Sequence, residues 1–313
     1  MEFQHIPVML EPCMEGLNIR PDGIYVDGTA GGAGHSSEIA RRLTTGRLIS
    51  LDQDPDAVET ASQRLSQFPC AQVVRANFRD MRQVLDTLGI DRVDGVLLDL
   101  GVSSHQLDTA ERGFSYQKDA PLDMRMSQEG VSARDLVNEA PAADLARIFR
   151  EYGEEKFAWQ IARNIVRRRE QAPIERTMEL AEIIKSSMPA AARREKNPCK
   201  RSFQALRIAV NSELDALSQG IDAAFDSLSP GGRLCVITFH SLEDRMVKQK
   251  FADLCRGCIC PPDFPVCVCG HTPAGRLPSR KPILPDEEEL AANRRSQSAK
   301  LRVIEKIKDR QPE

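Results

Sequence analysis

Residues 24–35 read Ile-Tyr-Val-Asp-Gly-Thr-Ala-Gly-Gly-Ala-Gly-His, an apolar run followed by a turn rich in glycine. The apolar run predicts a strand from Ile24 to Thr29, and the segment after the glycines predicts a helix over 36–43. Glycines at such a turn let a ligand approach the backbone closely. Because ligands of open α/β sheets bind beyond the carboxyl ends of the strands, this loop is a candidate binding site. A plain tight turn is the alternative, and NAD, FAD and S-adenosylmethionine sites all use such a loop.

Strands and helices continue to alternate after this loop. The sequence predicts helices over 55–66 and 79–88, and further strands at Arg47–Asp52, Gln72–Phe78 and Val93–Leu100. Val93–Leu100 is a nearly continuous apolar run, which is typical of a strand buried on both faces. The alternation predicts an α/β fold with a parallel sheet and crossover helices.

The alternation stops after the fourth strand. The next strong strand is 232–239, behind the turn Ser229-Pro230-Gly231-Gly232, and a last strand is predicted near 298–307. Adjacent parallel strands need only about 30 residues for a crossover unit, whereas more than a hundred intervene here. We therefore predict a sheet domain in two parts, 1–107 and 213–313, with an inserted helical domain at 108–212.

Two helices are predicted inside or at the end of this insert. The segment 154–170 is amphipathic, with Phe157, Ile161 and Ile165 on one face and Lys156, Arg163 and Arg167 on the opposite one. A second stripe of apolar residues, from Phe203 to Phe225, predicts one long helix that returns the chain to the sheet. We interpret that stripe as core packing.

Composition limits the classes of protein to consider. The chain has 313 residues and a net charge of −3, so any nucleic-acid surface must be local. No apolar run reaches the ~18 residues of a membrane helix, and Met1–Glu15 has no signal-peptide pattern. Four of the nine cysteines are scattered singly (Cys13, Cys70, Cys199 and Cys235), which favours reduced thiols and predicts a cytoplasmic protein.

Acidic residues follow two of the predicted strands. Asp52 ends the second strand about 20 residues beyond the glycines, where a carboxylate binds both hydroxyls of a ribose. Asp54 precedes Pro55 and is better explained as the N-cap of the next helix. Asp99 ends the central fourth strand, where a carboxylate is costly unless it is paired or functional, so Asp99 is a strong site candidate.

Three further residues follow strands. Phe78 either frames an adenine or is a buried residue at the end of a strand. Ser241 forms a plausible capping box with Asp244, whereas His240 is predicted at the same end of the sheet as Asp99 and is a candidate substrate contact.

Five cysteines and a histidine are close in sequence, at Cys255, Cys258, Cys260, Cys267, Cys269 and His271. Such residues bind zinc in many proteins. The spacing is not a regular pair of CxxC motifs, however, and the loop contains Pro261, Pro262 and Pro265. We therefore expect reduced thiols in a tight loop and assign no metal ligand.

The insert contains a strongly basic segment at 156–207. It has thirteen lysines and arginines against five glutamates, a net charge of +8 within a chain whose total is −3. A charge run is usually a solvated face, but this excess favours a surface for the phosphate backbone of a nucleic acid. Aromatic residues are few here, so no platform for base stacking is evident from the sequence.

Taken together, these motifs resemble one family, the bacterial 16S rRNA (cytosine(1402)-N(4))-methyltransferases, called RsmH or MraW. The matching segments run from one end of the chain to the other and include the insert. They are residues 5–10, 27–35, 51–55, 93–106, 111–115, 121–126, 152–155, 203–208, 238–245 and 298–306.

The resemblance implies a class I methyltransferase fold, Rossmann-like, with an inserted helical domain for substrate recognition. It implies S-adenosylmethionine as cofactor, with contacts at Ala33, Gly34, His35, Asp52, Phe78, Asp99 and Gln106. Two residues depart from the family pattern: Ala33 stands where glycine is common, and His105 stands where proline is common. The cysteine cluster occurs in only part of the family.

The implied reaction is transfer of a methyl group to N4 of cytidine 1402 in 16S rRNA of the small ribosomal subunit. Asp99 is the nearest candidate for a catalytic hydrogen-bond acceptor. We expect no DNA or membrane partner, and a homodimer stays open. A small-molecule or protein methyltransferase, an NAD-dependent oxidoreductase and a non-catalytic RNA-binding factor are the alternatives, because fold alone does not determine function.

Overall fold

A computed structural model describes residues 7–194, 197–258, 260–261, 264 and 266–310. Among the residues singled out above, His5, Ile6, Glu195, Lys196, Pro262 and Pro265 lie outside the described residues. The chain divides into two compact units. The first unit comprises residues 1–101 and 215–313, and the second comprises 102–214. The corresponding boundaries predicted from the sequence are 107/108 and 212/213.

The first unit is built on a seven-stranded sheet in the order β3-β2-β1-β4-β5-β7-β6. Strands β3, β2, β1, β4 and β5 are parallel, whereas β7 is antiparallel to both β5 and β6. The strand order reverses between β1 and β4, which is where open α/β sheets bind ligands. The strands are β1 Ile24–Asp27, β2 Arg47–Asp52, β3 Ala71–Arg75, β4 Val93–Asp99, β5 Leu228–Thr238, β6 Gly275–Arg276 and β7 Lys300–Lys306.

Helices cover the sheet and make up most of the second unit. In chain order they are α1 Leu10–Leu17, α2 Gly34–Arg42, α3 Pro55–Leu65, α4 Met81–Thr87, α5 Ser104–Asp108, α6 Ala133–Glu139, α7 Ala142–Gly153, α8 Ala158–Arg169, α9 Thr177–Ser186, α10 Ala190–Arg193, α11 Lys200–Asn211, α12 Glu213–Ser227, α13 Ser241–Leu254 and α14 Glu287–Ala292. In the part of the chain that the structure describes, no helix is long and apolar enough to cross a membrane.

The sheet is buried on both faces. Val26, Ile49 and Val96 belong to one apolar cluster, whereas Tyr25 and Leu48 belong to another. Burial on both faces explains why the central strands have almost continuous apolar sequences. The predicted α/β class and its parallel sheet are therefore confirmed.

The second unit is helical, as predicted, and has its own core. Buried residues from α6, α7, α8, α9 and α11 form one cluster. In α8, Ile161 and Ile165 are fully buried, whereas Arg163 and Arg167 are exposed. The amphipathic pattern predicted for this segment is therefore confirmed.

Several element bounds differ from the prediction. Strand β5 begins at Leu228 rather than 232, because Leu228 already pairs with Val93. The sequence analysis missed α1 and the two-residue strand β6. The predicted single helix from Phe203 to Phe225 is also wrong, since the chain breaks into α11 and α12 at Ser212, whose φ is 48°.

Hydrogen bonds of the Asn211 and Arg207 side chains explain this break. The Asn211 side chain accepts a hydrogen bond from the backbone N–H of Met126 at 2.7 Å and donates one to the carbonyl of Met124 at 2.8 Å. Arg207 donates to both carboxylate oxygens of Glu213, each at 2.8 Å. These tertiary contacts override a periodicity that is continuous in sequence.

Candidate functional site

The glycine-rich loop after β1 is joined to both neighbouring strands. The backbone N–H of Gly28 donates to the carbonyl of Leu97 at 2.9 Å, and that of Ala30 donates to the carbonyl of Leu51 at 2.8 Å. The Thr29 hydroxyl accepts a hydrogen bond from the backbone N–H of Asp99 at 2.7 Å. The loop is therefore held against the ends of β2 and β4.

A buried carboxylate anchors the helix that follows. Asp27 is almost fully buried and accepts hydrogen bonds from the Ser36 hydroxyl at 2.6 Å and from the backbone N–H of Thr29 at 3.1 Å. Ser36 also lies 2.8 Å from the hydroxyl of Ser50 on β2. This network fixes the start of α2, and thereby the loop, relative to the sheet.

Asp52 faces the loop from the end of β2. Its two carboxylate oxygens accept hydrogen bonds from the backbone N–H groups of Gly31 at 2.8 Å and Asp54 at 2.9 Å. Burial raises the pKa of Asp52 to about 6, although these two hydrogen bonds oppose the rise. Asp54 caps α3 by accepting from the backbone N–H of Asp56, so the predicted capping role of Asp54 is confirmed.

Asp99 ends β4 and has one unsatisfied oxygen. Its Oδ1 is buried and has no hydrogen-bond partner among the described residues. Burial raises the pKa of Asp99 well above its ordinary value, and the nearby charges of Asp27 and Glu243 raise it further. A buried polar atom without a partner is uncommon and points to a ligand that supplies the missing donor.

His35 lies beside this carboxylate. Its Nδ1 is 3.8 Å from Asp99 Oδ2, and its Nε2 is 3.0 Å from the carbonyl oxygen of Val8. Since a carbonyl can only accept, Nε2 carries a proton and donates to it. The contact with Val8 holds His35 in place near the end of β4.

Ala33 and Gly34 form the last part of the loop. Ala33 is fully buried and has a left-handed backbone with φ of 59°, a conformation that favours glycine. Gly34 begins α2, and Pro7 packs so closely against it that a side chain there would collide with the proline ring.

Phe78 lies just beyond β3. The strand ends at Arg75, three residues before the predicted end, and Asn77 accepts a hydrogen bond from the backbone N–H of Arg79 to start a short turn. The half-buried Phe78 ring packs against α12 and leaves no room for a side chain at Gly220. Phe78 therefore has a packing role, and the proposed role beside an adenine stays a prediction.

The capping prediction at the start of α13 is wrong by one residue. The N-cap is His240, whose Nδ1 accepts from the backbone N–H of Glu243 at 3.4 Å. Glu243 in turn accepts from the backbone N–H of His240 at 3.3 Å, which completes a capping box. Asp244 instead pairs with Lys300 and Arg302 of β7. His240 thus caps α13, and its role as a substrate contact stays a prediction.

Gln106 belongs to the second unit. Its side-chain oxygen accepts from the backbone N–H of Ser103 at 3.0 Å, and its own backbone N–H donates to the Ser103 hydroxyl at 3.2 Å. This pair caps α5 in spite of His105 at the position where the family often has proline. The role of Gln106 as a cofactor contact stays a prediction.

The carboxyl ends of β1, β2 and β4, with Asp27, Asp52 and Asp99, form what we call the carboxyl edge. Within the part of the chain that the structure describes, no lysine or arginine forms an ion pair with these three side chains. Uncompensated carboxylates repel a pyrophosphate but attract hydroxyl donors and positive charge. The edge therefore suits a ribose-containing ligand without a pyrophosphate better than a dinucleotide such as NAD.

The second unit carries an open groove with basic residues along α8. The groove has a volume of about 620 Å³ and is lined by Trp159, Arg163, Asn164, Arg167 and other residues. Trp159, the only tryptophan of the chain, is 50% exposed. Spacings of four residues place Trp159, Arg163 and Arg167 on one face of α8. We call these three residues the basic groove.

Other basic residues of the segment 156–207 serve the fold. Arg168 pairs with Glu179 at 2.5 Å, and Arg176 pairs with Asp119. Arg169 donates to the carbonyl oxygens of Val137 and Ala140. The +8 excess of the sequence is thus divided between internal contacts and an exposed surface.

Sequence reasoning missed several residues of these sites. Ser36, Ser50 and Thr29 hold the carboxyl edge together, yet isolated hydroxyls have no recognisable spacing. Trp159 carries a weak signal, because a tryptophan on the polar face of an amphipathic helix is unusual.

The sequence of the chain also matches known proteins. The MraW methylase family matches residues 2–307 of the chain. The ribosomal RNA small subunit methyltransferase H of Lachnospira eligens is 57% identical over 311 residues, which cover 98% of this chain and 99% of that protein. The protein of the same name from Heliobacterium modesticaldum is 55% identical over 313 residues, which cover 98% of this chain and 100% of that protein.

Solved structures match at lower similarity. An rRNA methylase from Streptococcus thermophilus aligns over 97% of this chain and 99% of that chain, with 10% identity and a TM-score of 0.45. The fold assignment therefore rests on the order and direction of the strands described above.

Proposed function

The chain belongs to the MraW methylase family, and from that premise we propose that it transfers a methyl group from S-adenosylmethionine to N4 of cytidine 1402 in 16S rRNA. The family membership and the methyltransferase class predicted from the sequence are confirmed, and small-subunit rRNA is the substrate class. Both the cofactor and the methylated atom are part of the proposal.

The unsatisfied oxygen of Asp99 is the observation that carries the proposal. A carboxylate at the end of the central strand can accept a hydrogen bond from a bound ligand or from the amino group of a cytosine. Burial raises the pKa of Asp99, so its carboxylate is a stronger base than an exposed one. The carboxylate is therefore suited to accept the proton that N4 must lose.

The other residues of the carboxyl edge fit S-adenosylmethionine. Asp52 would accept hydrogen bonds from the ribose hydroxyls, since each of its oxygens uses only one lone pair on a backbone N–H. The backbone of Ala33 and Gly34 would line the cofactor, and Phe78 would lie beside the adenine. When bound, S-adenosylmethionine supplies an electrophilic methyl group on a positively charged sulfur.

The chain's own contribution is mainly positioning. The cytosine amino group is a poor nucleophile because its lone pair is delocalised into the ring, so the reacting atoms must be held nearly in line. The hydrogen bonds that the backbone N–H groups of Gly28 and Ala30 donate, and the one that the Thr29 hydroxyl accepts, fix the loop on which this alignment depends. The target base must also leave the stack of its neighbours to be reached.

The basic groove is the proposed contact with RNA. Arg163 and Arg167 are exposed, and among the described residues neither has a carboxylate within ion-pair distance. Trp159 beside them offers a surface on which an unpaired base can stack. Phosphates of the RNA would therefore be held here.

The test is to incubate the protein with methyl-labelled S-adenosylmethionine and small ribosomal subunits that lack the modification, and then digest the RNA to nucleosides. We expect label in N4-methylcytidine, and none with the Asp99→Ala variant. Label in another nucleoside would overturn the proposed target atom. No label in RNA despite measured cofactor binding would overturn the proposed substrate. A parallel reaction with free 16S rRNA tells whether the assembled subunit is needed.

A further inference from the structure

The loop between α13 and β6 brings four cysteines together. Cys258, Cys260, Cys267 and Cys269 have Sγ atoms that all lie within 4.8 Å of one another. None of the four is in a disulfide bond. No residue of the loop takes part in the carboxyl edge or the basic groove described above, so this cluster needs an explanation of its own.

The distances between the sulfur atoms match a single tetrahedral ion. Cys258 Sγ lies 3.4 Å from Cys267 Sγ and 3.8 Å from Cys269 Sγ, and the last two lie 3.6 Å apart. Four sulfurs at about 2.3 Å from a zinc ion are about 3.8 Å from one another. A disulfide requires about 2.05 Å, so the spacing is that of ligands around one ion rather than that of two disulfides.

Backbone groups support negative charge on two of the sulfurs. The backbone N–H of Val268 donates to Cys260 Sγ, and that of His271 donates to Cys269 Sγ, both at 3.4 Å. Such donors orient metal-bound thiolates and stabilise their charge. Four thiolates at these distances would repel one another strongly without a cation between them.

The described residues of the loop form no apolar core that could gather the thiols. Phe264, Val266 and Val268 are 51%, 69% and 72% exposed. Among the described residues from 256 to 274 there is no helix or strand. Segments that cannot bury enough apolar surface are commonly held together by a structural metal.

The side chains of Cys255 and His271, the other two residues of the sequence motif, are not part of the group of four sulfurs. Cys255 caps α13, lies partly buried against the core of the sheet, and has a pKa raised by burial. His271 Nδ1 lies 3.0 Å from the carbonyl oxygen of Gly257. The ligand set is therefore four sulfurs, without the imidazole.

We propose that Cys258, Cys260, Cys267 and Cys269 bind one Zn²⁺ ion in a structural site. Four thiolates in a tetrahedron select zinc among the common divalent ions and leave no open position for a substrate. Binding forms four Zn–S bonds and releases the four thiol protons to solvent, so affinity rises with pH. The irregular CxC…CxC spacing, which argued against a metal in the sequence, is compatible with one ion once the loop is folded.

The test is to purify the protein under reducing conditions without a chelator and to measure the metal content per chain. We expect one zinc per chain, with X-ray absorption showing four sulfurs at about 2.3 Å. The double variant Cys267→Ser, Cys269→Ser should lose the zinc, whereas the matched control Cys255→Ser should keep it. Wild-type protein without zinc, or with iron or copper instead, would overturn the proposal. Loss of zinc from the Cys255 variant as well would overturn the ligand set.

A second measurement does not depend on the variants folding. Apoprotein prepared from the intact wild-type chain is titrated with Co²⁺, which reports its ligands by colour. We expect a strong thiolate-to-cobalt band and the visible bands of a tetrahedral site, saturating at one Co²⁺ per chain and abolished by added Zn²⁺. Absence of both bands, with the four thiols reacting equally fast with and without zinc, would contradict the proposal.

Discussion

The carboxyl edge and the basic groove carry side chains of opposite charge, and these side chains differ in their surroundings. At the carboxyl edge, the carboxylates of Asp27 and Asp52 accept short hydrogen bonds from the Ser36 hydroxyl and from the backbone N–H of Gly31. The backbone N–H of Asp99 donates to the Thr29 hydroxyl. In the groove, Arg163 and Arg167 project from one helix into solvent. Buried carboxylates suit one small ligand of defined shape, whereas exposed arginines suit an extended polyanion. The variants of Asp99, Asp52 and the two arginines separate the two regions, because each changes one region and both are measured.

The largest effect is expected for Asp99→Asn, which keeps the size of the side chain but removes its charge and one acceptor. We expect methyl transfer to fall about 10³-fold in single-turnover reactions, within the range for loss of an acid–base group. Affinity for RNA, measured by filter binding, should stay within twofold. A variant with normal methyl transfer would show that Asp99 neither accepts the proton nor positions a reactant.

The next effect is expected for Asp52→Asn, since loss of a charged acceptor for the ribose hydroxyls costs about 1.5–3 kcal/mol. Affinity for S-adenosylmethionine, measured by calorimetry, should therefore fall about 10- to 100-fold. Affinity for RNA should not change. Equal weakening of both affinities would point to a general loss of structure.

The raised pKa of Asp52 also makes the wild-type protein sensitive to pH. As the pH falls below about 6, Asp52 takes up a proton, and wild-type affinity for the cofactor should fall about tenfold per pH unit. The folded state binds this proton more tightly than the unfolded state, so the contribution of Asp52 to stability is lost as the pH rises from about 4 to about 6. Both dependences should be absent from Asp52→Asn.

A smaller effect is expected for the double variant Arg163→Ala, Arg167→Ala. Affinity for RNA should fall about 30-fold at low salt. The slope of log affinity against log salt should become less steep by about 1.4, because two phosphate contacts to single-stranded RNA are lost. Cofactor affinity should be unchanged. The control Arg163→Lys, Arg167→Lys keeps both charges and should keep the wild-type slope; an unchanged slope in the alanine variant would exclude the groove.

Trp159→Ala should weaken RNA binding about tenfold, since stacking of one base contributes about 1–3 kcal/mol. Unlike the arginine variant, it should leave the salt dependence as it is. Trp159→Phe keeps an aromatic face and should bind nearly as the wild type does. If Trp159→Phe binds as weakly as Trp159→Ala, stacking is not the reason for the exposed tryptophan.

The smallest effect is expected for Ala33→Gly. Glycine relieves about 1 kcal/mol of left-handed strain but loses a buried methyl group worth about 0.8 kcal/mol. Thermal unfolding should therefore shift by no more than about 2 °C. Ala61→Gly removes a buried methyl group from the same apolar cluster. Because Ala61 lies within α3 and the substitution relieves no strain, it should clearly lower the free energy of unfolding. A large loss with Ala33→Gly would mean that the methyl group matters more than the strain.

Prediction from sequence succeeded where the physical rule is local or periodic. The apolar runs located β1 to β4, the pattern of Phe157, Ile161 and Ile165 located the buried face of α8, and Asp54 before Pro55 marked a helix start. Each of these depends on residues only a few positions apart, so the sequence contains the whole signal. The family resemblance rests on motifs of the same local kind.

The sequence by itself determined the α/β class, the helical insert, the family and the acidic residues at the strand ends. The tertiary structure alone decided the rest. It broke the helix at Ser212 through Asn211, moved the cap of α13 to His240, and left Asp99 Oδ1 without a hydrogen-bond partner among the described residues. In the tertiary structure, some basic residues form internal ion pairs and others line an open groove. Four thiols with an irregular spacing in sequence also lie close together. The physical reason is that partners far apart in sequence make these contacts, and their energies exceed the weak preferences of each local segment.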